Sequence, residues 1–159
     1  MNTKGSAWEK EESAMNIETL LESVRSSLES RQYTTFVELF AEEGVYELPF
    51  APLGAKAIYS GIESIRERFL EIANSPLNRL YDLQEVKPKS SIIMGGSGAV
   101  AELSIEGNLR STGAKVAVSS SVAIIEIVGG KISRYCDYPN SIGIAQALGV
   151  LPEFLASLK

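Results

Sequence analysis

Residues 98–138 read GAVAELSIEGNLRSTGAKVAVSSSVAIIEIVGGKISRYCDY, and this stretch decides the fold. Runs over about 98–109, 115–128 and 131–138 read as strands, with apolar residues recurring at a period of two. Gly129-Gly130 is a two-residue hairpin turn, and Ser111-Thr112-Gly113 marks the turn before it. A further strand over about 79–93 joins through Gly95-Gly96-Ser97-Gly98, giving four strands linked as an antiparallel meander.

Upstream, the period changes. Residues 1–15 read as a polar, flexible tail in which Trp8 is suited to tacking onto the body. A single domain then spans 16–159. Asn16 is placed to cap a first helix whose apolar stripe is Ile17, Leu20, Leu21, Val24 and Leu28. A second helix is predicted from about Arg31 to Glu42, with Gly44 ending it. From Val45 the pattern is that of a short strand, with Tyr46, Leu48 and Phe50 on one face and Glu47 on the other, stopped by Pro49 and Pro52. Ser60 and Glu63 form a capping box for a third helix to about Ala73, ended by Asn74-Ser75-Pro76. After Pro139, Ser141 to Leu148 reads as a short helix closed by Gly149, and a last turn follows Pro152. Helices preceding a meander imply an α+β domain, with the helices packed on one face of an antiparallel sheet.

Composition narrows the chemistry. The chain of 159 residues contains no histidine, which removes Ser-His-Asp and Cys-His catalysis and the commonest metal ligand. Its single cysteine, Cys136, excludes an internal disulfide and a thiolate-rich metal site, and a cytoplasmic location is the default. Neither a metal nor an organic cofactor is implied. A net charge of −5 with scattered basic residues carries no nucleic-acid footprint, and no apolar run of about 18 residues suggests a membrane span. Acid–base work would therefore rest on carboxylates, tyrosine, lysine or water.

Two blocks carry a resemblance. One is Leu39-Phe40-Ala41-Glu42-Glu43-Gly44-Val45-Tyr46-Glu47, followed by Gly61-Ile62-Glu63; the other is Gly130-Lys131-Ile132-Ser133-Arg134-Tyr135-Cys136-Asp137-Tyr138, running into Ala147-Leu148-Gly149. Over about residues 16–152 the chain resembles the SnoaL-like branch of the nuclear-transport-factor-two-like superfamily. That group includes ketosteroid isomerases, limonene-epoxide hydrolases, polyketide cyclases and the phenazine-biosynthesis PhzA/PhzB proteins, the last being most similar in the C-terminal segment. The resemblance implies the cone-shaped fold of that superfamily, a small-molecule pocket and a homodimer formed through the sheet. Much of the family machinery has no counterpart. The isomerase base position falls on Leu48, and Lys115 to Ile125 holds no carboxylic acid for the second isomerase acid. Of the hydrolase Asp-Arg-Asp set only the last member matches, at Asp137; the others fall near Leu103 and Ile105, with Glu102 one register step away. The hydrolase tyrosine matches Tyr46, while its asparagine falls on Leu48. The PhzA/PhzB acid also corresponds to Asp137, and their histidine has no equivalent.

Asp137 is therefore the leading catalytic candidate. Alternation puts Tyr135 and Asp137 on one face and Arg134, Cys136 and Tyr138 on the other, and the resemblance makes the Asp137 face the pocket side. A desolvated carboxyl there should hold its proton to higher pH and serve as acid or base. The competing reading has Asp137 capping the turn at Pro139. Tyr46 is the second catalytic candidate, orienting a carbonyl or water, against a plain core aromatic with its hydroxyl at the rim. Ligand-binding positions expected around them are Leu48, Phe50 and Phe69, together with Leu103. Tyr33, Tyr59 and Tyr135 either line the same cavity or simply pack. Glu102 is expected to face solvent or a dimer sheet, Glu42-Glu43 to be solvated, and Cys136 to sit on the outer face as a small hydrophobe. Ser119-Ser120-Ser121 would either pack the sheet in a dimer or leave room in the pocket. The expected function is a SnoaL-like enzyme that binds a hydrophobic ring compound and moves a proton in an isomerisation, condensation or cyclisation. The alternatives are a non-catalytic ligand-binding protein and a protein-interaction domain on the same fold.

Overall fold

The computed structural model describes the backbone of residues 7–74, 83–95 and 98–158, and the side chains of 17–74 and 98–158. The first six residues of the expected tail, the Trp8 side chain, the Ser75-Pro76 stop and the Gly96-Ser97 turn lie outside these described parts. Eleven elements follow in chain order among the described residues: α1 (Ala7–Glu29), α2 (Tyr33–Val37), β1 (Phe40–Glu47), β2 (Ile58–Ser60), α3 (Ile62–Asn74), β3 (Leu83–Gly95), β4 (Gly98–Leu109), β5 (Lys115–Val128), β6 (Lys131–Pro139), α4 (Ser141–Ala147) and α5 (Leu151–Ala156). The strands form one open sheet in the order β2-β1-β6-β5-β4-β3.

The meander is present as read, with β4 and β5 at the expected bounds. The sheet as a whole is mixed rather than antiparallel. β1 lies parallel to β6, with Tyr46 beside Tyr135 and Glu47 beside Cys136. This pairing joins the first strand to the last, so no local turn signal announces it. β2 is a three-residue edge strand, too short to register as a periodic run.

Three other local expectations change. α1 starts at Ala7, so Asn16 lies within the helix rather than capping it. Its stripe is as expected, with Leu20, Leu21 and Val24 buried and Ile17 and Leu28 packed at the margin. α2 stops at Val37 and β1 begins at Phe40, where helix was expected to Glu42. Phe40 is buried opposite Ile132, and that tertiary contact outweighs any helical preference. Gly44 consequently sits inside a strand. The register shifts between Phe40 and Val45, and a Cβ at Gly44 would stand 2.9 Å from the Ala41 carbonyl oxygen and 3.1 Å from that of Ile132. Only glycine fits this bulged approach. The capping box is also absent: Ser60 ends β2, Gly61 turns at φ +81°, and Glu63 pairs with Arg66.

The helices α1 to α3 cover one face of the sheet, and the core lies between. Ile65 and Phe69 of α3 and Phe36 of α2 meet Ile125, Ile132 and Ala123 of the strands. The opposite face carries Val100, Glu102, Val122, Ile124 and Glu126, all exposed, with the alternation that β4 and β5 predict. Cys136 belongs to this outer side but is itself buried, in register with Glu47 and Ile124. Arg134 bridges Glu47 at 2.6 Å and Glu126 at 2.9 Å across three neighbouring strands. The paired guanidinium holds the Glu47 carboxyl below its usual range. Among the described residues, no helix is long and apolar enough to cross a membrane.

The serine triplet has a structural explanation. Leu103 pairs with Ser121 and Ser104 with Ser119, leaving Ser120 as the extra residue of a bulge. The bulge reverses the strand's phase: Val116 is buried before it, and Ala123, Ile125 and Ile127 are buried after it. Strand alternation therefore does not run through Ser119 to Ser121. Asn140 secures the distortion. Its amide N–H donates to the Ser120 carbonyl (2.8 Å), and its side-chain Nδ2 donates to that of Ser119 (2.9 Å). The same side chain accepts from the Gly143 N–H and so caps α4.

Candidate functional site

β1 and β6 place Tyr46 and Tyr135 side by side, and Asp137 follows two residues on, on the same face of β6. The Tyr46 ring is locked among aromatics. It stacks on Tyr135 at 5.8 Å between centroids, meets Phe69 edge-on at 5.2 Å and contacts Tyr59 at 6.1 Å. This packing aims its hydroxyl, which donates to Asp137 Oδ2 over 2.9 Å. The other carboxyl oxygen, Oδ1, is buried and lacks a partner in hydrogen-bond geometry, while the Ser121 side chain and the Tyr138 backbone still favour the ionised carboxylate.

The electrostatics follow from burial. Desolvation raises the Asp137 pKa above the ordinary carboxylate value, and it outweighs the lowering influences of Tyr46, Ser121 and the Arg68 charge. Burial also pushes the Tyr46 phenol well above its usual value, reinforced by the neighbouring Asp137 charge. Tyr46 therefore stays a donor, while Asp137 is a stronger base than an exposed carboxylate and a usable acid once protonated.

Both side chains line a cavity of about 470 Å³. The loop after β1 contributes Leu48, Phe50, Ala51 and Pro52; β2 contributes Tyr59; α3 contributes Arg68, Glu71 and Ile72. Pro139 and Ser141 lie at the junction of β6 and α4. Of the expected ligand-binding residues, Leu48, Phe50 and Tyr59 are brought to this cavity. Leu48 is buried, whereas Phe50 is 75 % exposed at the rim with its ring 5.3 Å from Tyr138.

The other expected positions are not brought there. Tyr135 is buried behind Tyr46 and packs edge-on against Phe36 at 5.4 Å. Phe69 is likewise a second layer behind Tyr46, and with Tyr33 it lines a separate hollow of about 300 Å³. Leu103 is half-buried on β4, two strands away from Asp137, opposite Ser121. Each is a support or a neighbour of the cavity, since strand alternation assigns a face but not a position along the sheet.

Arg68 and Lys56 line the cavity without having been marked as candidates. Lys56 Nζ lies 4.5 Å over the Tyr59 ring and donates to Ser64 Oγ at 3.1 Å. The Arg68 guanidinium lies 5.6 Å from the same ring. A signal for Arg68 was present: Ile65, Arg68, Phe69 and Ile72 stand at i, i+3, i+4 and i+7, so a cation occupies the apolar stripe of α3.

The SnoaL-like domain family model matches residues 21–135, ending two residues before Asp137. The uncharacterised protein YesE of Bacillus subtilis (strain 168) is 26 % identical over 132 residues, covering 83 % of this chain and 86 % of its own. Among solved structures, a protein of ketosteroid isomerase-like fold from Catenulispora acidiphila, in complex with trimethylamine, matches with a TM-score of 0.61 at 16 % identity. The match covers 82 % of this chain and 92 % of that one. A phenazine biosynthesis-related protein from Pseudomonas aeruginosa matches with a TM-score of 0.61 at 16 % identity, covering 88 % and 91 %. At these identities the structures establish the fold, the nuclear-transport-factor-two-like α+β architecture, and not an activity.

Proposed function

The chain belongs to the SnoaL-like domain family, and from that premise we propose that it is a small-molecule enzyme whose Asp137 moves a proton on a hydrophobic ring compound held in the cavity. One observation carries this reading: Asp137 lines the cavity, Tyr46 holds its Oδ2 at 2.9 Å, and its buried Oδ1 has no partner in hydrogen-bond geometry. In this reading the Asp137 carboxylate takes a proton from a carbon next to a ring carbonyl and returns it at another position. Desolvation favours the neutral acid formed in the first step. Tyr46 fixes the carboxyl plane, while Leu48, Tyr59 and Ile72 offer the ring an apolar wall. The same proton movement serves isomerisation, condensation or cyclisation.

The test is exchange of the α-protons of 2-tetralone in D₂O, followed by NMR. Wild-type protein should accelerate exchange, and Asp137→Asn should lose about 100-fold or more of that acceleration, the usual scale of a positioned general base. Equal acceleration by the variant would remove Asp137 from the chemistry. Binding of 2-tetralone without any acceleration would favour the non-catalytic ligand-binding alternative.

The outer sheet face supports a second proposal, a homodimer formed through the sheet. Val100, Val122 and Ile124 remain 38–41 % exposed there and lie on adjacent strands.

A further inference from the structure

Arg68 has more binding capacity than the fold uses. Its Nη1 faces Glu71 at 3.4 Å, an i,i+3 pair whose carboxylate is 68 % exposed and therefore weakly held. Its Nε is buried and has no hydrogen-bond partner. A buried donor left without an acceptor is costly, and Arg68 is among the residues that line the cavity. The Nε edge of a guanidinium presents parallel N–H groups that match the two oxygens of a carboxylate.

The surroundings reinforce the sign. In a chain of net charge −5, two cations, Lys56 and Arg68, converge on the one ring of Tyr59 at this cavity. The acidic lining residues are Glu71, largely exposed and paired with Arg68, and Asp137, whose burial favours its neutral form. Among the described residues, the two unpartnered buried side-chain polar atoms are Arg68 Nε and Asp137 Oδ1, and they have complementary needs. One needs an acceptor; the other, when ionised, needs a donor or an acidic C–H.

We infer that the ligand is an anion, an apolar ring bearing a carboxylate that the Arg68 guanidinium binds while the reacting end of the ring faces Asp137. Lys56 adds attraction at the rim. This inference rests on the cavity being the ligand site, and it names the substrate class that the site selects. Arg68 is a binding and specificity residue here, and the proton is still moved by Asp137.

The probes are 1-naphthoate and 1-naphthalenemethanol, which share a ring system and differ in charge, with affinities read by calorimetry. Wild-type protein should bind 1-naphthoate about tenfold or more tightly than the alcohol, the scale of one charge-assisted hydrogen bond. Arg68→Met keeps the stem that packs on α3. It should lose that preference by weakening naphthoate alone. Added salt should weaken naphthoate and leave the alcohol unchanged in wild-type protein, a readout that needs no variant to fold. Equal affinities for the two probes, binding of neither, or an Arg68→Met variant that weakens both alike would overturn the inference. Because these are binding measurements, a protein that prefers naphthoate but exchanges no protons would sink the enzymatic reading alone. One that exchanges 2-tetralone protons without any preference for the anion would sink the anion inference alone.

Discussion

Tyr46→Phe isolates the hydrogen bond on which the site is built. The ring contacts with Tyr135, Phe69 and Tyr59 survive the change, so what is removed is the hydroxyl 2.9 Å from Asp137 Oδ2. The cost should depend on whether Asp137 carries its charge. Hydrogen bonds to charged groups contribute about 1.5–3 kcal/mol, and neutral ones about 0.5–1.5 kcal/mol. Asp137 keeps its proton to higher pH in the folded protein than in the unfolded chain, because burial raises its pKa. Its stability contribution is therefore fully present below the ordinary carboxylate range and is lost as pH rises through the folded value. Tyr46 opposes that loss by stabilising the carboxylate. The variant should thus be less stable than wild type by about 1 kcal/mol in acid and by about 2 kcal/mol or more once Asp137 is ionised. In thermal unfolding followed by circular dichroism, each kcal/mol corresponds to about 2–4 °C for a domain of this size. Side-chain ¹³C NMR should show Asp137 titrating higher in the variant than in wild type. A loss that is the same at both ends of the pH range, with Asp137 titrating as an exposed carboxyl, would refute the desolvated pair.

Two further outcomes test the framework around the site. Gly44→Ala places a methyl 2.9 Å from the Ala41 carbonyl oxygen and 3.1 Å from that of Ile132, both backbone atoms that cannot swing away. It should destabilise the domain by about 1–3 kcal/mol, measured by urea unfolding, whereas a neutral result would mean that β1 pairs differently with β6. Ile124→Lys puts a charge in the middle of the exposed apolar outer face and should convert a dimer to a monomer in sedimentation equilibrium. An unchanged assembly state would move the interface elsewhere.

The division between what could and could not be read in advance follows the range of the forces involved. The bounds of β4 and β5 were legible because alternation and the Gly129-Gly130 turn are local. The end of α2 was not, because Phe36, Val37 and Phe40 are apolar under a helical or a strand period alike. Phe40 meets Ile132, ninety-two residues later in the chain, and that contact decides the matter. The parallel β1–β6 pair is nonlocal in the same way, yet it is what sets Tyr46 beside Asp137. The face of Asp137 was legible from Tyr135 by a count of two. Which aromatics reach the cavity was not: Tyr59 lines it, while Tyr135 and Phe69 stand behind Tyr46. Arg68 was readable as a cation on an apolar helix stripe, though helix periodicity alone gives no reason to assign such a residue a ligand.

The central claim is that Asp137, desolvated and held by Tyr46, is the group that moves the proton. Its most direct test is the pH dependence of kcat/KM for 2-tetralone exchange, set beside the ¹³C titration of the Asp137 carboxyl in the same protein. The exchange rate should rise with pH along the titration of Asp137, above the ordinary carboxylate range, and both curves should move upward together in Tyr46→Phe. A rate that ignores that titration, or that survives unchanged in Asp137→Asn, would contradict it.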